Sequence, residues 1–307
     1  MKKTISILSC VVFTIFFYTK CTNPVSTTDG IIPGQFPVPQ FQHVPSPALV
    51  VDDSISSYSN NLADSLVYEM QVAVKQLKNM ELMPETKAVL SRCNYYRTFL
   101  KSSFKKSQGI HIDFIGDEHW VVQMGVSTDQ IPNGVLSSQK EVRAVLDSAK
   151  YDAIGWEMSA VDSLTPEVFQ KEQEYNQKLD GYPVTPQATP VFYRLKSSDS
   201  PDDAVFAYWL DHNNAKIVGL QDPVYWYFYN KTEAGSVFGE IRKFNSYLAL
   251  ARMVESMCKH GYKNGVVVLG SLHVADLVFL AKRLGIKMTV YDTCHDGIFE
   301  ESMRTIR

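Results

Sequence analysis

The chain is poor in cysteine and has no marked excess of charge. It carries five cysteines in 307 residues, and Cys10 lies in the apolar N-terminal run. Among Cys21, Cys93, Cys258 and Cys294 no pair has the spacing of a zinc finger. Four scattered thiols in a chain this long are not a disulfide framework; they read as small buried hydrophobes with at most one bridge. Thirty basic against 33 acidic residues give a net charge of -3. With no basic stripe to supply phosphate contacts, a nucleic-acid partner is not expected. Several catalytic signatures are missing too. There is no H-E-x-x-H, which excludes a zincin, and no G-x-G-x-x-G or P-loop to cradle phosphates. Ser271 lacks the G-x-S-x-G elbow of an α/β-hydrolase. "DTCHD" (292–296) lacks the first cysteine of a covalent c-type haem site.

Long hydrophobic runs are also scarce. The longest, "ISILSCVVFTIFFY", is too short for a stable membrane span and comes after the basic start Met1-Lys2-Lys3. Residues 1–21 therefore read as an export signal. Cys21 is a candidate lipid-bearing cysteine, although Lys20 stands where a small residue is usual. The expected location is the cell envelope, periplasmic or surface, with a possible membrane attachment through Cys21. Residues 22–50 hold six of the fourteen prolines and read as a linker, because proline blocks helix interiors and central strands. The folded body is expected from about Asp52, within a domain spanning 51–307.

Helical periodicity runs over 54–80, and "PETKAVLSRCNYYRTFLKSSF" (84–104) reads as a second helix with Pro84 near its start. Short apolar strands come next, at 110–115, 152–156, 216–220, 265–269 and 286–291. Helical patterns lie at 138–150, 165–178, 236–260 and 274–284. This alternation predicts an α/β fold with a mostly parallel central sheet flanked by helices. The Pro-, Ser- and Asp-rich stretch within 158–210 reads as an insertion.

Each strand exits into polar residues. "IHIDFIG" leads to Asp117, Glu118 and His119; "DAIGW" ends at Glu157; "KIVGLQ" leads to Asp222; "VVVLGSL" leads to His273; "TVYDTCH" brings Asp292 and His295. In a parallel sheet all these carboxyl ends share one edge, and ligands bind in the crevice outside it. Gly116 and Gly270 are expected to let the chain turn, through positive φ and a close backbone approach to a ligand or metal, so that each histidine is aimed over the edge. Two neutral imidazoles with carboxylates suit Zn, Mn or Fe. Such an ion brings a bound water's pKa to about 7, and Glu157 or Asp117 is placed to act as general base. His111 and Asp113 alternate within one strand and read as structural. His43 falls in the linker, and His212 and His260 read as surface or helix-end residues. The run "YWYFY" (225–229) suits a core segment, the lining of an apolar ligand pocket or a contact with lipid headgroups.

Four short motifs in this order resemble the TraB/Tiki superfamily, which also takes in ChaN-type haem-binding lipoproteins and, more distantly, the erythromycin esterases. "FIGDEHW" and "VVVLGSLHVADL" are similar to its paired G-x-x-H motifs. "YDAIGWEMSA" resembles the segment ending in a key glutamate, here Glu157. "KFNSYLA" (243–249) is similar to a helix motif with an adjacent Arg-Asn pair; Asn245 matches, but Phe244 replaces the arginine. The resemblance covers roughly 105–290. It implies an α/β fold with a one-rim site of His119, Glu157, Asn245 and His273. The missing arginine leaves Arg242 or Arg252 to stand in for transition-state stabilisation.

Together these features lead us to expect an exported metal-dependent hydrolase of peptide or ester bonds. His119, His273 and Glu157 would hold the metal, and Glu157, Asp117 or Glu118 would handle protons. Asn245, Asp222 and Arg242 would contact the ligand. The competing expectation is a ChaN-type envelope lipoprotein that binds haem or another cofactor without turnover.

Overall fold

A computed structural model describes residues 44–51, 61–77, 83–118, 133–157, 159, 204–212, 215–231, 238–295 and 297–305. His43, His119, Cys21, the expected helix 165–178 and most of the expected insertion lie outside these residues. In chain order the elements are β1 (Leu49–Val51), α1 (Leu62–Lys75), α2 (Pro84–Ser91), α3 (Cys93–Lys105), β2 (His111–Asp117) and α4 (Asn133–Ser148). Then come β3 (Ala153–Trp156), α5 (Ala204–Asp211), β4 (Ile217–Gly219), α6 (Pro223–Lys231) and α7 (Phe238–His260). The last are β5 (Asn264–Gly270), α8 (Ser271–Leu284), β6 (Met288–Asp292) and α9 (Ile298–Thr305).

The six strands form one sheet in the order β1-β6-β2-β5-β3-β4. β6, β2, β5, β3 and β4 pair in parallel, and β1 pairs antiparallel with β6. The α/β, mostly parallel architecture expected from the alternation is therefore present. Its central strands are continuous apolar runs because both faces are covered. Phe114, Val267 and Leu269 face a core shared with α1, α3, α6, α7 and α8. Ile115, Val266, Val268, Ile154 and Trp156 face the smaller core under α4 and α5. Strand side chains alternate between faces, so "DFI" and "VVVL" each feed both cores.

Four local departures from the sequence expectations have physical reasons. β1 precedes the expected start of the body: three residues suffice for an edge strand, and proline is tolerated beside an edge. The expected helix 84–104 is two helices, because Arg92 leaves helical geometry at φ -92, ψ 3 with no proline or glycine to announce it. α8 begins at Ser271, three residues before its expected start, so His273 sits in the first helical turn and not in a loop. Finally, Gly270 has φ -51, and among the described residues positive φ occurs only at Gly109, Gly261, Gly285, Gly297 and His295. The strand-exit glycines therefore do not supply a left-handed turn. Gly116 instead permits close packing: a Cβ there would lie 3.0 Å from Val274 Cγ2 and 3.2 Å from Ser271 Cα. The backbone there approaches the start of α8. Gly285 does use its freedom, ending α8 at φ 70, the left-handed stop common at helix C-termini.

Among the described residues, no helix is long and apolar enough to cross a membrane.

Candidate functional site

The carboxyl ends of β3 and β5 bring Glu157 and His273 together. Their positions are set by register: Trp156, the last residue of β3, lies beside Val268 of β5, so Glu157 comes level with the end of β5, where α8 begins. Glu157 Oε2 accepts a hydrogen bond from Gly270 N–H at 3.2 Å. That N–H is one of the donors a helix start leaves without an internal partner, and the helix dipole favours an anion there. Glu157 Oε1 stands 3.7 Å from His273 Nε2. The other ring nitrogen, Nδ1, meets Ser246 Oγ of α7 at 2.9 Å.

Behind the imidazole lies a polar layer that no sequence motif announced. Ser246 Oγ is also 3.5 Å from Asp276 Oδ2 and 3.2 Å from the Arg242 carbonyl. Asp276 is one turn beyond His273 on α8, and Arg242 NH2 lies 3.5 Å from its Oδ2. Burial pushes the Asp276 carboxyl above the usual aspartate range, while Arg242 and Lys243 pull the other way. The ring of Tyr229, on α6, presents edge-on to the His273 ring, with centroids 6.4 Å apart. Burial raises the Tyr229 phenol; Glu157 and Asp276 add to this and Arg242 opposes it. Arg242 Nε is buried and meets no hydrogen-bonding partner among the described residues.

The other expected site residues fall into neighbouring groups. Asp117 accepts from Gln139 Nε2 at 2.9 Å, and the same amide reaches Glu118 O, while Gln139 Oε1 accepts from Ala204 N. Asp117 is thus tied to α4 and the start of α5, and it lies directly across from Gly270 in the β2–β5 register. Glu118 donates its N–H to Ser138 Oγ at 2.9 Å. Its carboxylate hangs over Gly134, where a Cβ would come within 2.8 Å of Oε2. Asp222 belongs to a third group, on the face of α3. It receives Tyr96 OH at 3.2 Å and Tyr225 N–H at 2.9 Å, and pairs with Arg92 at 3.5 Å. The bond to Tyr225 is a helix N-cap, with Pro223 opening α6. Asn245 is buried on α7, next to Ser246.

Phe244, standing where the resemblance expects arginine, packs with Tyr96 and Tyr225, their centroids 5.8 and 5.1 Å away. Of the two arginines expected to compensate, Arg242 lies beside Asp276. Arg252 instead donates Nε to Gly219 O at 3.1 Å, holding the end of β4. Tyr225 and Phe228 of "YWYFY" are buried in the core, as a core segment requires, and the Tyr229 ring meets His273. His111 pairs with Asp113 at 2.8 Å at the opposite edge of the sheet. His295 meets Glu141 at 2.8 Å on the surface.

The donor set of Glu157 and His273 is compatible with a divalent ion. Two ligands bound at about 2.0–2.1 Å around a tetrahedral centre stand about 3.3 Å apart, close to the separation found here. Nε2 is the ring atom turned to the carboxylate because Nδ1 is engaged by Ser246. Among the described residues no group of three His, Cys, Asp or Glu side chains is arranged to hold an ion, and His119, the expected third ligand, lies outside them. Comparison of the chain with family models, with curated proteins and with solved structures finds no match.

Proposed function

We propose that this protein is an exported metal-dependent hydrolase of the TraB/Tiki type, acting on peptide or ester bonds. One observation carries the reading: segments 116 residues apart in sequence place Glu157 Oε1 and His273 Nε2 3.7 Å apart at the sheet edge where α/β proteins bind ligands. His273, Glu157 and His119 would hold the ion. When bound, it would polarise the scissile carbonyl and acidify a water. The chain's own groups do the rest. Asp117 and Glu118, at the end of the adjoining strand, are the carboxylates offered for proton transfer. Arg242 and Tyr229 border the same rim, with N–H and O–H donors suited to a developing oxyanion.

The test is metal content by mass spectrometry, measured on the purified protein and on His119→Ala, His273→Ala and Glu157→Gln. Near-stoichiometric Zn, Mn or Fe is expected in the parent and lost in each variant, together with hydrolysis of peptide or ester libraries. Retained metal in folded His273→Ala rules the assignment out.

The edge-on contact of Tyr229 with His273 favours a second reading, haem capture without turnover, since His and Tyr are both axial ligands of haem iron. A Soret band on haem titration, lost in Tyr229→Phe and His273→Ala, would support capture over hydrolysis.

A further inference from the structure

The polar layer behind His273 has one free variable, the direction of the Ser246 hydroxyl proton, and its surroundings decide it. Among the described residues, Ser246 Oγ has three polar neighbours: His273 Nδ1 at 2.9 Å, the Arg242 carbonyl at 3.2 Å and Asp276 Oδ2 at 3.5 Å. The carbonyl can only accept, and so can the Asp276 carboxylate in the ionised form that Arg242 and Lys243 favour. If the hydroxyl proton went to Nδ1, both would face the Ser246 oxygen without a proton between them. Nε2 would then carry the ring proton, 3.7 Å from Glu157 Oε1. If the proton goes to the carbonyl or to Asp276, the oxygen is left to accept from Nδ1–H. The imidazole then turns an unprotonated Nε2 towards Glu157.

We propose that Ser246 and Asp276 are positioning residues that hold His273 in its Nδ1–H form, so that Nε2 is the atom presented at the rim. Arg242 acts one step further out. Its guanidinium, 3.5 Å from Asp276 Oδ2, favours the charged carboxylate and sets its angle. Three elements thereby fix one proton: α8 supplies His273 and Asp276 one turn apart, α7 supplies Ser246 and Arg242 one turn apart, and β3 delivers Glu157 in front. A neutral imidazole with Nδ1 donating and Nε2 open is the form required of a histidine that binds metal through Nε2. Loss of such support typically weakens a metal site by about 10–100-fold. The inference rests on the proposed metal site for its functional meaning, but not for its test.

The test is read in metal-free full-length protein labelled with 15N-histidine. The His273 signals are assigned by their disappearance in His273→Gln, and long-range proton–nitrogen correlations report which ring nitrogen carries the proton. The Nδ1–H form should dominate in the parent and in Ser246→Thr, which keeps the hydroxyl. Ser246→Ala should give a mixture of the two forms. Asp276→Asn should move the population towards Nε2–H, because the new amide can donate to Ser246 Oγ and free its proton for Nδ1. Zinc titration should show about 10–100-fold weaker binding in Ser246→Ala and near-parental binding in Ser246→Thr. A parent protein with the Nε2–H form overturns the proposal, even if Asp276→Asn does not fold. So does an unchanged proton position in Ser246→Ala. A parent with the Nδ1–H form that binds no metal leaves the positioning intact and removes the hydrolase reading, so the two failures are distinguishable.

Discussion

Gly116 and Val274 meet across the end of β2 so closely that a single methyl group added to the glycine would lie 3.0 Å from Val274 Cγ2. The backbone of Ser271 stands almost as near, and His273 is two residues further along the same helical turn. Side-chain rotation can relieve the first contact but not the second, so Gly116→Ala has to displace the start of α8. Overpacking of this kind costs about 1–3 kcal/mol. Urea denaturation should show that loss, and the His273 ring signals should shift with it. An unchanged midpoint would mean that α8 is less firmly seated than the packing implies.

Asp222 is expected to matter for stability. It caps α6 through Tyr225 N–H, receives the buried Tyr96 hydroxyl and balances Arg92. Asp222→Ala removes the cap and strands two buried donors, which should cost about 2–4 kcal/mol. Asp222→Asn keeps an acceptor of the same shape and should cost about half as much. If instead both variants keep parental stability while metal or substrate affinity falls, the residue serves the ligand directly.

Asp152 ties the start of β3 to the start of β5, accepting Lys263 and Asn264 N–H at 2.9 and 3.0 Å. Those bonds hold its carboxyl below the usual aspartate range. A lowered native pKa means stabilisation that is fully present above the unfolded-state value and lost as pH falls through the native one. Asp152→Ala should therefore cost about 1 kcal/mol at neutral pH, discounted for exposure. The gap to the parent should close at strongly acid pH. A gap that persists there would assign the effect to the backbone and not to the charge.

Asp276 should behave in the opposite sense. Burial raises its carboxyl, so the folded state binds a proton more tightly than the unfolded chain. Stability contributed by that proton is present at acid pH and is lost as pH rises through the raised native value. Relative to the parent, Asp276→Asn should gain stability as pH rises through the window that begins at the ordinary aspartate value. Paired denaturation curves on either side of the window measure this. A relative loss over the same window would mean that the Arg242 pairing outweighs desolvation.

Much of the architecture is legible in the sequence because buried parallel strands leave a strong trace. "IHIDFI" and "GVVVL" are rich in apolar residues, and each ends in polar residues at the edge of the sheet. Glu157 and His273 are recognisable for the same reason. β1 is not, since three residues beside a proline-rich stretch carry little pattern, and their partner, β6, lies at the other end of the chain. Ser246 and Asp276 escape notice because neither residue type on a helix has a signature of its own. One clue is present: "SLHVADLVFL" is otherwise an apolar helix, and Asp276 falls one turn from His273, so a carboxylate has to be buried beside the imidazole. The role of Gly116 is not legible, because spacing reveals that a glycine is needed, not which neighbour needs the room.

The direction of β1 has a consequence for how the polypeptide is threaded. Running against the other five strands, with Ala48 N–H bonded to Val290 O, it begins at the edge where they finish. The chain thus joins the sheet on the same side as Glu157 and His273, three strand spacings, or about 15 Å, from β5. A fluorophore or spin label attached at the exposed Val44 is delivered to that same side of the sheet, giving a built-in vantage point for watching ligands arrive.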